Sequence, residues 1–285
     1  MVALTQAEPK TSASGLLCND AAYIRTAIDA DWTVQASDRT LDIRNQTFLC
    51  GQHDRAMPLS YVGPIKVVGL MLRPGAMRTL FGIDDAAMLN RISYFDEIGL
   101  TDSAVSGLYR PGIDAGEWLQ ATEEWLRQHI ARVGAKPPEP LSQRFEEAAF
   151  ADPNQLIVDF ANRHGTSTRT IERIVKRDFG LTPKQVMRRA RVLDLAARLC
   201  DVADEDEEDI FLRFFDQSHL IREFTRFFGI TPHAFRANRN ALLTLSLEIR
   251  QARRLELLDR IAPGAIRPWM RRALHQSQPW NGTPA

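Results

Sequence analysis

The 285-residue chain is predicted to be an α+β protein, a β-rich N-terminal domain followed by an all-α domain built on a repeat. Three observations predict this. Short β-like runs separated by turn signals fill residues 32–73. A helical pattern follows a proline-rich stretch at 136–140. A 13-residue segment of the helical part recurs 49 positions later.

The β-like runs come first. Residues 32–36, 41–45, 47–51 and 65–72 are rich in Val, Ile, Leu, Phe and Thr. Asp38-Arg39, Gly51 and Gly63-Pro64 punctuate them, and Arg73-Pro74-Gly75 closes the last. Residues 114–133 then read as a helix. Trp118, Thr122, Trp125, His129 and Arg132 fall near one stripe. Such a stripe serves core packing or a dimer face, and both readings stay open. Lys136-Pro137-Pro138-Glu139-Pro140 cannot continue a helix.

Beyond it, Asp152-Pro153 pairs a capping residue with Pro at the first helical position, predicting a helix to Arg163 that stops at Gly165. Thr166 or Ser167 can cap the next helix, which runs to Phe179 and stops at Gly180. Thr182-Pro183 opens a long helix to about Cys200, buried through Val186, Ala190, Leu193 and Ala197. The expected organisation is a disordered lead-in over 1–15, a β-rich regulatory or dimerisation domain over 16–136, a linker over 137–150, a helical domain over 151–240 and an extension over 241–285. Within that extension, 241–262 reads as a helix or, in part, a strand.

Composition limits the function. Apolar residues make up 44% and charged residues 25% of the chain, enough to fill the cores of about two domains. No run of 18 apolar residues exists, and residues 1–15 lack the apolar core of a signal peptide, so a cytoplasmic protein with no membrane partner is expected. Cys18, Cys50 and Cys200 are widely spaced, which argues against a disulfide framework or a zinc knuckle. Net charge is zero, yet residues 152–200 hold ten basic against five acidic residues, and 201–209 hold seven acids and no base. A local basic face with a compensating acidic block suits a nucleic-acid partner, although solvated surface gives the same pattern.

The repeat decides between these. Residues 171–183 read IERIVKRDFGLTP and residues 220–232 read LIREFTRFFGITP. Arg173, Arg177, Phe179, Gly180, Thr182 and Pro183 recur as Arg222, Arg226, Phe228, Gly229, Thr231 and Pro232. On a helical wheel of about 100° per residue, Ile174, Val175 and Phe179 lie within about 80° of Ile171 and form a buried stripe. Arg169, Arg173 and Lys176 fall at roughly 160°, 200° and 140°, directly opposite. In the second copy Leu220, Phe224, Phe227 and Phe228 form the stripe, and Ser218, Arg222 and Thr225 point outward. A helix anchored on one face and offering Arg, Ser and Thr on the other suits a DNA major groove. Arg177 and Arg226, on the flank, could take backbone phosphates.

These residues resemble the C-terminal DNA-binding domain of the AraC/XylS family of bacterial regulators. The resemblance spans about 153–240 and is strongest at 166–183 and in the D-Q-S-H-L-I-R-E-F run that begins at Asp216. It implies an all-α tandem helix-turn-helix domain, two units joined by a long linker helix, with recognition helices entering adjacent major grooves about 34 Å apart. The contacts it implies are Thr168, Arg169, Glu172, Arg173 and Lys176 in the first helix. In the second they are Gln217, Ser218, Ile221, Arg222 and Thr225. His219 fits the pattern but sits on the flank, as a packing or capping residue. One departure stands out: Arg213 occupies a position where the family has Gly, and acids at 204–209 replace small apolar residues, which would weaken DNA binding by the second unit.

Residues 63–82 are similar, more loosely, to the family's N-terminal sensory domain. The resemblance therefore implies double-stranded DNA as partner. RNA polymerase, a homodimer through the N-terminal domain and a small-molecule or protein effector stand as further candidates. Two rival readings remain: an interaction adaptor with a degenerate DNA-binding domain, and a cupin-like enzyme. The enzyme is disfavoured because the six His residues are scattered and no G-x-S-x-G, P-loop or H-E-x-x-H string occurs. No cofactor, metal or catalytic residue is expected.

Overall fold

A computed structural model describes residues 2–4, 12–203, 217–238 and 241–261. Two antiparallel sheets form the N-terminal part. One has the order β1 (Val2–Leu4), β8 (Lys66–Leu72), β3 (Ala22–Ile28), β6 (Gln46–Cys50), β9 (Ile92–Tyr94). The other has the order β2 (Ser12–Leu17), β7 (Met57–Val62), β4 (Trp32–Gln35), β5 (Thr40–Ile43). Alternate side chains of both sheets meet in one core that includes Trp32, Val34, Ile43, Phe48, Leu59 and Val67. The opposite face of the larger sheet, through Ile24, Leu49, Leu70 and Leu72, packs on α1 (Ala76–Phe81) and on Leu119, Trp125 and Leu126 of α3 (Ala115–Val133). The short α2 (Ser103–Ser106) adds Val105 to this layer. The α+β class is as expected.

Strand β3 is therefore buried along its whole length, seven residues of seven. Asp114 caps α3 by accepting from the amide of Gly116 at 2.7 Å. The tryptophan stripe of α3 is core: Trp118 is 1% exposed, and Trp125 stacks on His129 at 5.4 Å. Ile130 and Val133 of the same helix stay exposed.

Two expected boundaries are corrected. The stretch 1–15 is not a loose lead-in where it is described: Val2–Leu4 pairs with β8 and Ser12–Leu17 with β7, so the two segments complete edges of the two sheets. The linker expected over 137–150 is mostly helix. Pro140 takes the first position of α4 (Pro140–Ala151), where its missing amide costs nothing, and Phe145 and Phe150 anchor the helix. Asp152 thus ends α4 rather than opening the next helix, which starts later at Ile157.

The helical part is α4, α5 (Ile157–Arg163), α6 (Thr168–Phe179), α7 (Pro183–Leu199), α8 (Gln217–Phe228), α9 (Pro232–Ala237) and α10 (Ala241–Ile261). α7 serves two cores. Its first half, through Val186, Met187 and Ala190, closes over α4, α5 and α6. Its second half, from Val192 to Ala197, packs on α8, α9 and α10. The four residues expected to be its buried face are all buried. α10 also packs on β2 and α4, so the extension is part of the folded body. The expectations for Arg213 and the acids at 204–209 lie outside the described residues, as does everything beyond Ile261.

Candidate nucleic-acid interface

α6 begins where the sequence indicates. Ser167 accepts the Thr170 amide at 3.2 Å, and Gly180 ends the helix at φ 67°. Thr182 then restarts the chain in a reciprocal capping box with Gln185: Oγ1 accepts from the Gln185 amide, and the Thr182 amide donates to Oε1 at 2.8 Å. Ile171, Ile174, Val175 and Phe179 are each no more than 4% exposed. Thr168, Arg169, Glu172, Arg173 and Lys176 are all exposed. The spacing from 169 to 172, 173 and 176 lays the last four along one outward face.

Lys176 also reaches back to donate to the Gly180 carbonyl at 2.9 Å, capping the helix C-terminus. Arg177 behaves differently from its neighbours. It is half-buried and forks onto Asp178, with Nε and Nη2 donating at 2.6 Å each. That hydrogen-bonded pairing raises its pKa further above the ordinary guanidinium value. Asp178 is itself buried and also accepts from Ser142 Oγ. In this structure Arg177 is thus engaged at the base of the helix.

α8 repeats the two-faced build. Leu220, Phe224, Phe227 and Phe228 are buried, and Phe224 packs edge-on to Phe235 of α9 at 5.0 Å. Ser218, His219, Ile221, Arg222 and Arg226 are exposed, while Thr225 is half-buried. Arg222 Nε donates to the Ser218 carbonyl at 3.1 Å. Gln217 opens the helix. Thr231 caps α9 through the Ala234 amide, as Thr182 caps α7.

Sequence reasoning missed Glu223. It takes the place of Ile174 in the repeat, yet it is a carboxylate only 7% exposed. Arg188 of α7 approaches it at 2.9 Å, Arg191 at 3.6 Å and His219 at 3.5 Å. Arg191 also donates to the Pro153 carbonyl, so it links the first helical unit to α8. A charge inside an otherwise apolar stripe was the available signal, since buried carboxylates need cationic partners. Among the described residues no cluster of three or more His, Cys, Asp or Glu is placed to hold a metal ion. No helix among them is long and apolar enough to cross a membrane.

Residues 160–238 match the family described as a helix-turn-helix domain. The HTH-type transcriptional activator RhaS of Citrobacter koseri is 36% identical over 85 residues, which are 29% of this chain and 30% of that protein. The match therefore spans about a third of the curated relative's length. Among solved structures, ToxT from Vibrio cholerae aligns at TM-score 0.49 with 9% identity, covering 83% of this chain and 97% of that one. ToxT from Vibrio cholerae O395 aligns at 0.46 with 10% identity, covering 83% and 96%. The chain thus carries a helix-turn-helix domain over residues 160–238, in the helical part that follows the two β-sheets.

Proposed function

We propose that this chain is a sequence-specific DNA-binding transcription regulator that reads two adjacent major grooves with α6 and α8. One observation carries the reading. Two copies of one segment each bury an apolar stripe and expose equivalent outward positions, Arg169 and Arg173 in the first and Ser218 and Arg222 in the second. Arg169 and Arg173 suit guanine edges, Thr168 and Ser218 suit bases or phosphates, and Lys176 and Arg226 suit phosphates. Arg177 joins the phosphate contacts only if it leaves Asp178.

The test is a binding titration of the full chain on DNA at several salt concentrations. Each phosphate contact should add about 0.9 to the slope of log affinity against log salt. Arg169→Ala and Arg173→Ala should each weaken specific binding by about 1–3 kcal/mol if the guanidinium is bidentate to a base. Unchanged affinity in both variants would exclude α6 as a recognition helix.

A second reading has its own motive. The seven acids of 201–209 precede α8 in sequence and would repel phosphates, which favours an adaptor that kept the fold and lost DNA. A flat salt dependence would select it. RNA polymerase, a second copy docking through the N-terminal domain and an effector on that domain remain proposed partners. The exposed Ile130 and Val133 of α3 favour the second copy.

A further inference from the structure

Five large apolar side chains stand exposed among the described residues: Ile130, Val133, Leu156, Val158 and Ile221. Ile221 lies on α8, among the residues of its exposed face. It is 40% exposed, and Ser218 and Arg222 on either side of it are exposed too. The stripe that holds α8 is complete without it, since Leu220, Phe224, Phe227 and Phe228 are each no more than 5% exposed. Packing within the domain thus gives no reason for an isoleucine there.

The repeat sharpens the point. At the 49-residue offset, Ser218 answers to Arg169, Ile221 to Glu172, Arg222 to Arg173 and Thr225 to Lys176. The arginine is kept, and its neighbour changes from a carboxylate to a hydrocarbon. Glu172 is exposed on α6. A carboxylate at a base edge accepts from the amino group of cytosine, whereas an aliphatic side chain can only touch the C5 methyl of thymine.

We infer that Ile221 is a specificity-determining residue that reads the C5 methyl of a thymine in the second major groove. The two half-sites are then chemically unlike at equivalent positions: cytosine is favoured opposite Glu172, and thymine opposite Ile221. This rests on the reading of α6 and α8 as recognition helices. It goes further in naming the atom read, and it makes the operator a pair of unlike boxes.

The test separates the inference from its premise. Duplexes are selected from a randomised DNA pool with the full chain, and each thymine of the enriched duplex is replaced singly by deoxyuridine, which removes only the methyl. For the unmodified protein, one such replacement should weaken binding about fourfold, the effect of leaving one methyl unburied. With Ile221→Ala the same replacement should have no effect, whereas with Arg173→Ala it should still cost about fourfold. Ile221 is exposed, so its truncation leaves the core of α8 intact. As a second readout, Ile221→Glu should shift the selected base at that position from thymine to cytosine. Equal losses in the unmodified protein and Ile221→Ala, or no loss in either, overturn the inference and leave the DNA-binding reading standing. Failure to enrich any duplex overturns both.

Discussion

Asp85 shows how a single buried group can set the pH response. It is 1% exposed, with Gln52 Nε2 at 3.5 Å from one oxygen and no partner for the other. Burial, reinforced by the nearby Asp178 and Asp84 carboxylates, pushes its pKa up to about 8. The folded chain thus holds a proton that an unfolded aspartate releases near pH 4. That contribution to stability is complete below about pH 4 and is lost as pH rises through about 8. His53 runs the other way. It is fully buried, and burial pulls its pKa down to about 3. The unfolded imidazole takes a proton near pH 6.5, so stability falls as pH drops from there towards 3. Asp85→Asn keeps the shape and cannot ionise. Its gain in thermal midpoint over the unmodified chain should grow steadily from pH 5 to pH 8.5. A gain that does not change with pH would show that Asp85 is not protonated in the folded state.

Elements that the repeat makes equivalent need not be equally tolerant. Gly180 and Gly229 end the two repeated helices, α6 and α8, in the left-handed region, at φ 67° and 73°. A Cβ at Gly229 would meet nothing within 4 Å, so Gly229→Ala should cost only the backbone strain, about 1–2 kcal/mol. A Cβ at Gly180 would lie 2.9 Å from both the Asp85 carbonyl and the Ala86 Cα. Gly180→Ala should therefore cost about 1–3 kcal/mol more, because two backbones must part. Denaturant unfolding of the two variants would check this, and equal losses would mean that the contact at Gly180 yields freely.

The same contrast shows what the sequence makes legible at this scale. Caps, glycine stops and apolar stripes are local, and α6, α7 and α9 start where Ser167, Thr182 and Thr231 say they do. The strands that escaped reading lack a local signature. β3 is buried on both faces and so shows no alternation. β7 does alternate, through Met57, Leu59 and Tyr61, but Pro58 disguises it. Pro58 is tolerated because β4 reaches only as far as Leu59, leaving that side of the strand unpaired. Asp178 and Glu223 escaped for the converse reason: Ser142, Arg188 and Arg191, which pair with them, lie more than 30 residues away in sequence.

At the scale of the whole molecule, the two parts are fastened rather than strung together, and both helical units are involved. In the first unit, the Asp178 carbonyl accepts from the Gly75 amide at 3.3 Å and from Gln52 at 3.4 Å. In the second, the Phe227 carbonyl accepts from the Ala56 amide at 2.7 Å. Between them stands Arg189 of α7, 4% exposed, donating to the carbonyls of His53 and Asp20 and to Gln52 Oε1 at 2.9–3.0 Å. Its burial lowers its pKa to about 10, so it stays charged at neutral pH. Arg250 of α10 ties Asp20 at 2.9 Å to Asp194 of α7 at 2.6 Å. The β-rich part thus holds α6 and α8 through contacts that meet on α7. Arg189→Met keeps the length of the side chain and removes every donor. Each buried acceptor left without its partner should cost about 1–3 kcal/mol. Calorimetry of the unmodified chain should show one cooperative transition. The variant should show a lower midpoint and two transitions, as the sheets and the helices come apart separately. A single transition at an unchanged midpoint would mean that the domains are held together by their apolar contacts alone.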